Sequence, residues 1–222
     1  MVALLDRVSS RWITEGLFAR LAVLVEGPGD RSMLLATARA MGISLDELEI
    51  AIVPCEDKFS ISSVFHVYDH LGVPVYLVWD TDSGNDDKAN PRINRGLQRL
   101  AEPETPAGQN PLVPKFGPRY SCPDASLSSA TIEQIEGIEG LLAARMRYYG
   151  LNPNKDGDKK KAVHNQRIMY DVLCAAKRGK NGLDSLPTVR ILNWVVRMRK
   201  GLDAQAPQEG AAFGGGGAAP TG

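Results

Sequence analysis

Three cysteines in 222 residues, far apart and outside any CxxC spacing, cannot form a disulfide framework or a cysteine-rich zinc site. Free thiols at Cys55, Cys122 and Cys174 are the simpler reading, and they place the chain in the cytoplasm. No apolar run reaches the roughly 20 residues that a membrane-spanning helix needs. Asp6 and Arg7 interrupt the N-terminus before a signal-peptide core can form. The sequence also lacks GxxxxGK followed by Ser or Thr, so it carries no phosphate loop for ATP hydrolysis. Aromatics make up only 6% of the residues, and Trp12, Trp79 and Trp194 read as core or interface residues. The three histidines are too few and too scattered for a metal cage. His66 and His70 stand four apart on a helix, but no third ligand accompanies them.

Net charge is also lacking, with 26 Lys/Arg against 26 Asp/Glu, yet the balance conceals a division. Residues 1–140 carry 12 basic against 20 acidic side chains, whereas residues 141–200 carry 14 against 4. An acidic half beside a basic half suits a protein whose carboxylates hold cations while another surface meets a polyanion.

Hydrophobic periodicity then orders the chain. Residues 3–19 read as an amphipathic helix, a linker over 1–19 that could also pair two chains into a homodimer. Strands are expected within 21–26, 48–55 and 73–80, separated by helices at 31–42 and 61–72. VPVYLVWD is too apolar for one wet face, which points to a central parallel strand. The expected fold class is therefore α/β, a mainly parallel sheet with helices on both faces, plus a C-terminal helical subdomain. Further on, a helix is expected at 92–101 and a strand at 112–116. Helices are expected at 130–148, 160–178 and 187–200, and a disordered tail at 203–222.

Two acidic motifs fall on this frame. LVEGPGD places Glu26 and Asp30 across a Gly-Pro-Gly turn into a helix, and VWDTD places Asp80 and Asp82 at the end of a buried strand. In parallel α/β sheets both strand ends open on the same edge, the one where ligands bind. Four converging carboxylates repel one another unless cations neutralise them, and hard oxygen donors select Mg²⁺ or Mn²⁺. Each motif also has a plain structural reading, and Asp30 in particular could cap its helix.

These residues carry a resemblance. LVEGPGDRSML followed by VPVYLVWDTD resembles the Toprim domain of topoisomerases, primases and some nucleases. The longer stretch 15–82 is similar to the C-terminal Toprim region of the OLD (overcoming lysogenization defect) family, which joins an ABC-type ATPase to a nuclease. The resemblance implies a Toprim catalytic domain over 20–125 and a helical subdomain over 126–202. It implies DNA endonuclease activity with two bound metal ions, little sequence specificity, and an ATPase region N-terminal to this one. Glu26 would serve in acid–base work and metal binding, with Asp30, Asp80 and Asp82 as metal ligands.

The family also places an acidic residue on a later helix and a lysine beyond it. Glu136 is selected from Glu133, Glu136 and Glu139, whose spacing sets all three near one helix face. Lys161 is selected as catalytic from Lys159, Lys160 and Lys161, with Lys159 and Lys160 contacting DNA. Lys58, in the loop after the second strand, lies where a basic residue meets the substrate phosphate, although its loop lacks the expected glycines. Two alternatives compete with a nuclease. DTD resembles the nucleophile turn of haloacid dehalogenase phosphatases, with Asp80 attacking phosphorus, or the chain is a non-catalytic module that binds nucleic acid or an ATPase.

Overall fold

The computed structural model describes residues 11–82, 90–104, 115–177 and 183–201. The expected linker helix before Arg11, the loop over 83–89, the start of the 112–116 strand and the tail over 203–222 lie outside them.

The first three strands fall where the apolar runs predict. β1 (Leu21–Val25), β2 (Ile50–Pro54) and β3 (Val75–Val78) alternate with α2 (Pro28–Met41) and α3 (Lys58–His70), after a short α1 (Arg11–Leu17). Residues of β1 and β2 are buried along their whole length, as strands covered on both faces must be. α4 (Pro91–Ala101) leads to β4 (Lys115–Phe116) and β5 (Tyr120–Cys122). The sheet order is β2-β1-β3-β5-β4, parallel except for the β4–β5 pair. β5 was not expected: YSC is only three residues long and is closed by Pro123, too short to show a period.

Two cores flank the sheet. On one face Ala22, Leu24, Val53 and Trp79 pack with Ile61 of α3, Leu97 of α4 and Ile13 of α1. On the other, Val23, Ile52 and Val78 pack with Leu34 of α2 and with Ile191 and Val195 of α9 (Pro187–Arg199). The remaining helices are α5 (Leu127–Ile132), α6 (Ile138–Tyr148), α7 (Asp156–Val163) and α8 (Gln166–Ala176). Met169, Val172 and Leu173 of α8 share a third core with Met33 and Ala36 of α2. The helical half is thus built onto the outer face of α2.

Two expected helices are each broken in two. The 130–148 helix stops at Ile132 and restarts at Ile138, because Gly137 adopts the left-handed conformation with φ +67°. The 160–178 helix breaks at His164, where the Asn165 side chain caps a new start by accepting from the Arg167 and Ile168 N–H groups. α7 begins four residues earlier than expected, with Asp156 and Asp158 in its first turn, where acidic side chains favour the helix dipole. No helix among the described residues is long and apolar enough to cross a membrane. All three cysteines are free, and burial pushes the thiols of Cys55 and Cys122 up to about 12 and about 11.

Candidate metal centre

The parallel register of β1 with β2 and β3 brings the ends of those strands to one edge. Glu26, directly after β1, accepts a hydrogen bond at Oε1 from the Asp80 backbone N–H (2.7 Å), tying the first motif to the second. Asp80 is buried at 8% exposure. Its burial, reinforced by the charges of Glu26, Asp30 and Asp82, pushes its carboxyl up to about 9. Burial likewise raises Glu26 to about 7, against the Asp80 N–H bond and Lys58, which both lower it. Asp30 rises to about 6, again through burial and against a hydrogen bond from Gly27. Three carboxyls at one edge therefore hold protons more tightly than carboxyls in water, a strain that a cation relieves.

Asp30 does more than face the site. Its Oδ2 accepts the Gly27 N–H at 3.0 Å, one half of a capping box at the start of α2. The plain capping role is therefore real, and it engages one of the donors that the helix start could offer an anion.

Lys58 was expected in a loop. It opens α3 instead, because Asp57 caps the helix through Ser60 N–H (2.7 Å), a bond worth about 1 kcal/mol. The lysine is 7% exposed, with Nζ 2.5 Å from Asp82 Oδ2 and 3.7 Å from Glu26 Oε1. It sits among the carboxylates rather than on an outer surface. Among the described residues no three His, Cys, Asp or Glu side chains converge closely enough to cage an ion. The Lys58 ammonium lies instead against the Glu26 and Asp82 carboxylates.

Asp82 has φ +54°, a left-handed conformation that costs a non-glycine residue on the order of 1 kcal/mol. The turn before it is clamped from behind. Asn94 of α4 donates through Nδ2 to the Thr81 carbonyl (2.9 Å), and the Thr81 hydroxyl donates to Asp124 Oδ1 (3.0 Å). Asn94 and Thr81 are fully buried. Sequence reasoning missed this clamp, although Asn94 shares a helix face with Leu97 and Ala101, a polar residue in an apolar stripe.

The later residues divide. A cleft of about 400 Å³ is lined by Glu133, Lys159, Lys160 and His164, with serines from the start of α5. Glu136 lies exposed in the turn between α5 and α6, outside the cleft lining. Lys161 is also outside it, 73% exposed and 3.6 Å from Asp158. Splitting the 130–148 helix removes the common face that had made the three glutamates equivalent. His164 follows α7 as its C-terminal cap residue. Its ring packs so tightly on Gly29 that a Cβ there would lie 2.9 Å from it, which places the cleft beside the Glu26–Asp30 turn.

Residues 17–82 match the family model for the overcoming lysogenization defect protein-like TOPRIM domain. Over this segment the chain is similar to an OLD-like Toprim domain. An OLD nuclease from Thermus scotoductus is 35% identical over 95 residues, 43% of this chain. The match spans only 17% of that protein's length. The C-terminal region of the Xanthomonas campestris OLD protein superposes with a TM-score of 0.56 at 14% identity, covering 84% of this chain and 96% of that one. The corresponding Burkholderia pseudomallei region gives 0.50 at 16% identity, covering 82% and 99%. At these identities the structural matches establish the fold. They extend it past the Toprim segment into the helical half, since both exceed four-fifths of the chain.

Proposed function

We propose that this chain is the DNA-cutting region of an OLD-type nuclease, an endonuclease that hydrolyses phosphodiesters with Mg²⁺ or Mn²⁺. The observation that carries the reading is the edge itself, where Glu26 accepts from the Asp80 N–H and burial raises the proton affinity of Glu26, Asp30 and Asp80. The donor set fits hard divalent ions by its chemistry, because all four side chains offer oxygen and the mutual repulsion falls when a cation enters.

Glu26, Asp30, Asp80 and Asp82 would hold two ions, with Lys58 moving aside from Asp82. When bound there, such ions would supply activation of water and stabilisation of the leaving 3′ oxygen. Glu26, near neutrality at about 7, is suited to take a proton from the attacking water. Lys58, released from Asp82, would meet the charge that develops on the phosphate. Of the later acids and lysines, Glu133 and Lys160 line the cleft beside Gly29, and Glu136 and Lys161 do not. Residues 20–125 would form the catalytic domain, and the basic subdomain over 126–202 would grip the phosphate backbone with little regard for sequence. An ABC-type ATPase region of the same protein would govern the cutting, which takes place in the cytoplasm.

A phosphatase using Asp80 as nucleophile is disfavoured, since the resemblance to haloacid dehalogenases needs that turn after the first strand and here it follows β3, the third. Supercoiled and linear DNA incubated with Mg²⁺, Mn²⁺ or Ca²⁺ tests the proposal. Nicked or linear products in Mg²⁺ or Mn²⁺ support it. Turnover of a small phosphate ester with intact plasmid returns the phosphatase, and binding without metal or cutting returns the non-catalytic module.

A further inference from the structure

The cleft next to the carboxylate edge has its own chemistry. Lys159 and Lys160 reach it from α7, His164 closes it from the end of that helix, and Ser126, Ser128 and Ser129 face them from α5. Two ammonium groups, an imidazole and three hydroxyls oppose a single carboxylate, Glu133. The serines already form a cluster: Ser126 Oγ donates to Ser129 Oγ at 2.8 Å and lies 3.3 Å from Ser128 Oγ. Such a cleft, net positive and rich in rotatable donors, suits a tetrahedral oxyanion more than a neutral or cationic group. Its position is fixed by the His164 ring resting on Gly29, in the first turn of α2 between Glu26 and Asp30.

We infer that this cleft seats a backbone phosphate of the bound nucleic acid next to the one at the carboxylates. The inference deepens the nuclease reading and rests on it for the identity of the anion. The phosphate takes its charge partners from Lys159 and Lys160 and hydrogen bonds from the serine hydroxyls and His164. A strand held there is fixed in register against the metal edge. The cleft therefore decides which phosphodiester is presented, without reading a base.

Adjacent lysines provide the test. Lys160 lines the cleft and Lys161 does not, so Lys160→Glu and Lys161→Glu make the same charge change one residue apart. A third variant, Ser129→Glu, puts a carboxylate in the cleft while completing a Ser126-x-x-Glu capping box, which protects the helix. Affinity for a fluorescein-labelled duplex oligonucleotide is measured by anisotropy in EDTA, where no cutting occurs. Lys160→Glu and Ser129→Glu are expected to weaken binding at least ~10-fold, and Lys161→Glu no more than ~3-fold. Equal losses for the two lysine variants, unchanged binding by Ser129→Glu, or no binding by the wild type overturns the inference. Plasmid cleavage in Mn²⁺ separates the two claims. Discrimination between the lysines without wild-type cutting keeps the cleft and rejects the nuclease, whereas cutting with equal lysine effects rejects the cleft alone.

Discussion

The carboxylate edge and the basic helical half are built in opposite ways. At the edge, Glu26 and Asp80 each follow a buried strand, and the Asp80 backbone N–H donates to the Glu26 carboxylate across neighbouring strands. In the helical half the chemistry-bearing side chains stand on short, mostly exposed helices, and α6 and α7 each bury only one residue, Met146 and Ala162. A buried strand end holds a charged group rigidly and at high electrostatic tension. A short surface helix offers charge that is cheap to place and easy to move. Under the proposed function the contrast divides the labour: the edge for chemistry, the helices for holding a polyanion.

The largest expected effect comes from the edge. Asp80→Ala should lower plasmid cleavage by roughly 10³-fold or more while leaving circular dichroism unchanged, since the charge it removes is central to the site. Residual cutting within tenfold of wild type would place the chemistry elsewhere.

A smaller effect is expected from the helices, and it separates neighbours. Lys160→Ala should slow cleavage roughly 10- to 100-fold, and Lys161→Ala less than about 3-fold, judged from initial rates at low salt. The reverse order would restore Lys161 to the catalytic position.

Stability should follow the edge and not the helices. Folded Asp80 and Glu26 keep their protons to about 9 and about 7, whereas in the unfolded chain both ionise in the ordinary carboxylate range. As pH rises between those limits the unfolded state releases protons first, so the metal-free protein loses stability from about pH 5 to pH 9. Asp80→Asn should flatten that fall and stabilise the metal-free protein by ~2 kcal/mol at pH 9, read from urea melts. A wild-type curve that rises with pH over this range would contradict the assigned environment. The smallest effect links the two regions: Gly29→Ala pushes the exposed His164 ring away from the turn and should reduce cleavage only a few-fold, at little cost in stability.

The legibility of the sequence divides along the same line. LAVLV, IAIVP and VYLV are continuous apolar runs, and each is followed by turn residues, so both the strands and the carboxylates after β1 and β3 could be read directly. The helical half misled because periodicity continued across real breaks. Gly137 and Asn165 were the local signals, a left-handed glycine and a side-chain cap, and each outweighed the apolar pattern around it. With those breaks unread, Glu136 and Lys161 were selected from sets whose members the sequence could not separate. The Asn94–Thr81–Asp124 clamp was illegible for another reason: it joins three separate segments, and no spacing in the sequence reports such a contact.

The most direct test of the edge as a metal-dependent nuclease centre is relaxation of supercoiled plasmid by wild type and by Glu26→Ala, each with Mn²⁺ and with EDTA. Nicked or linear DNA from the wild type in Mn²⁺ alone is the predicted result. Cutting that persists in EDTA, or that Glu26→Ala leaves intact, would contradict it.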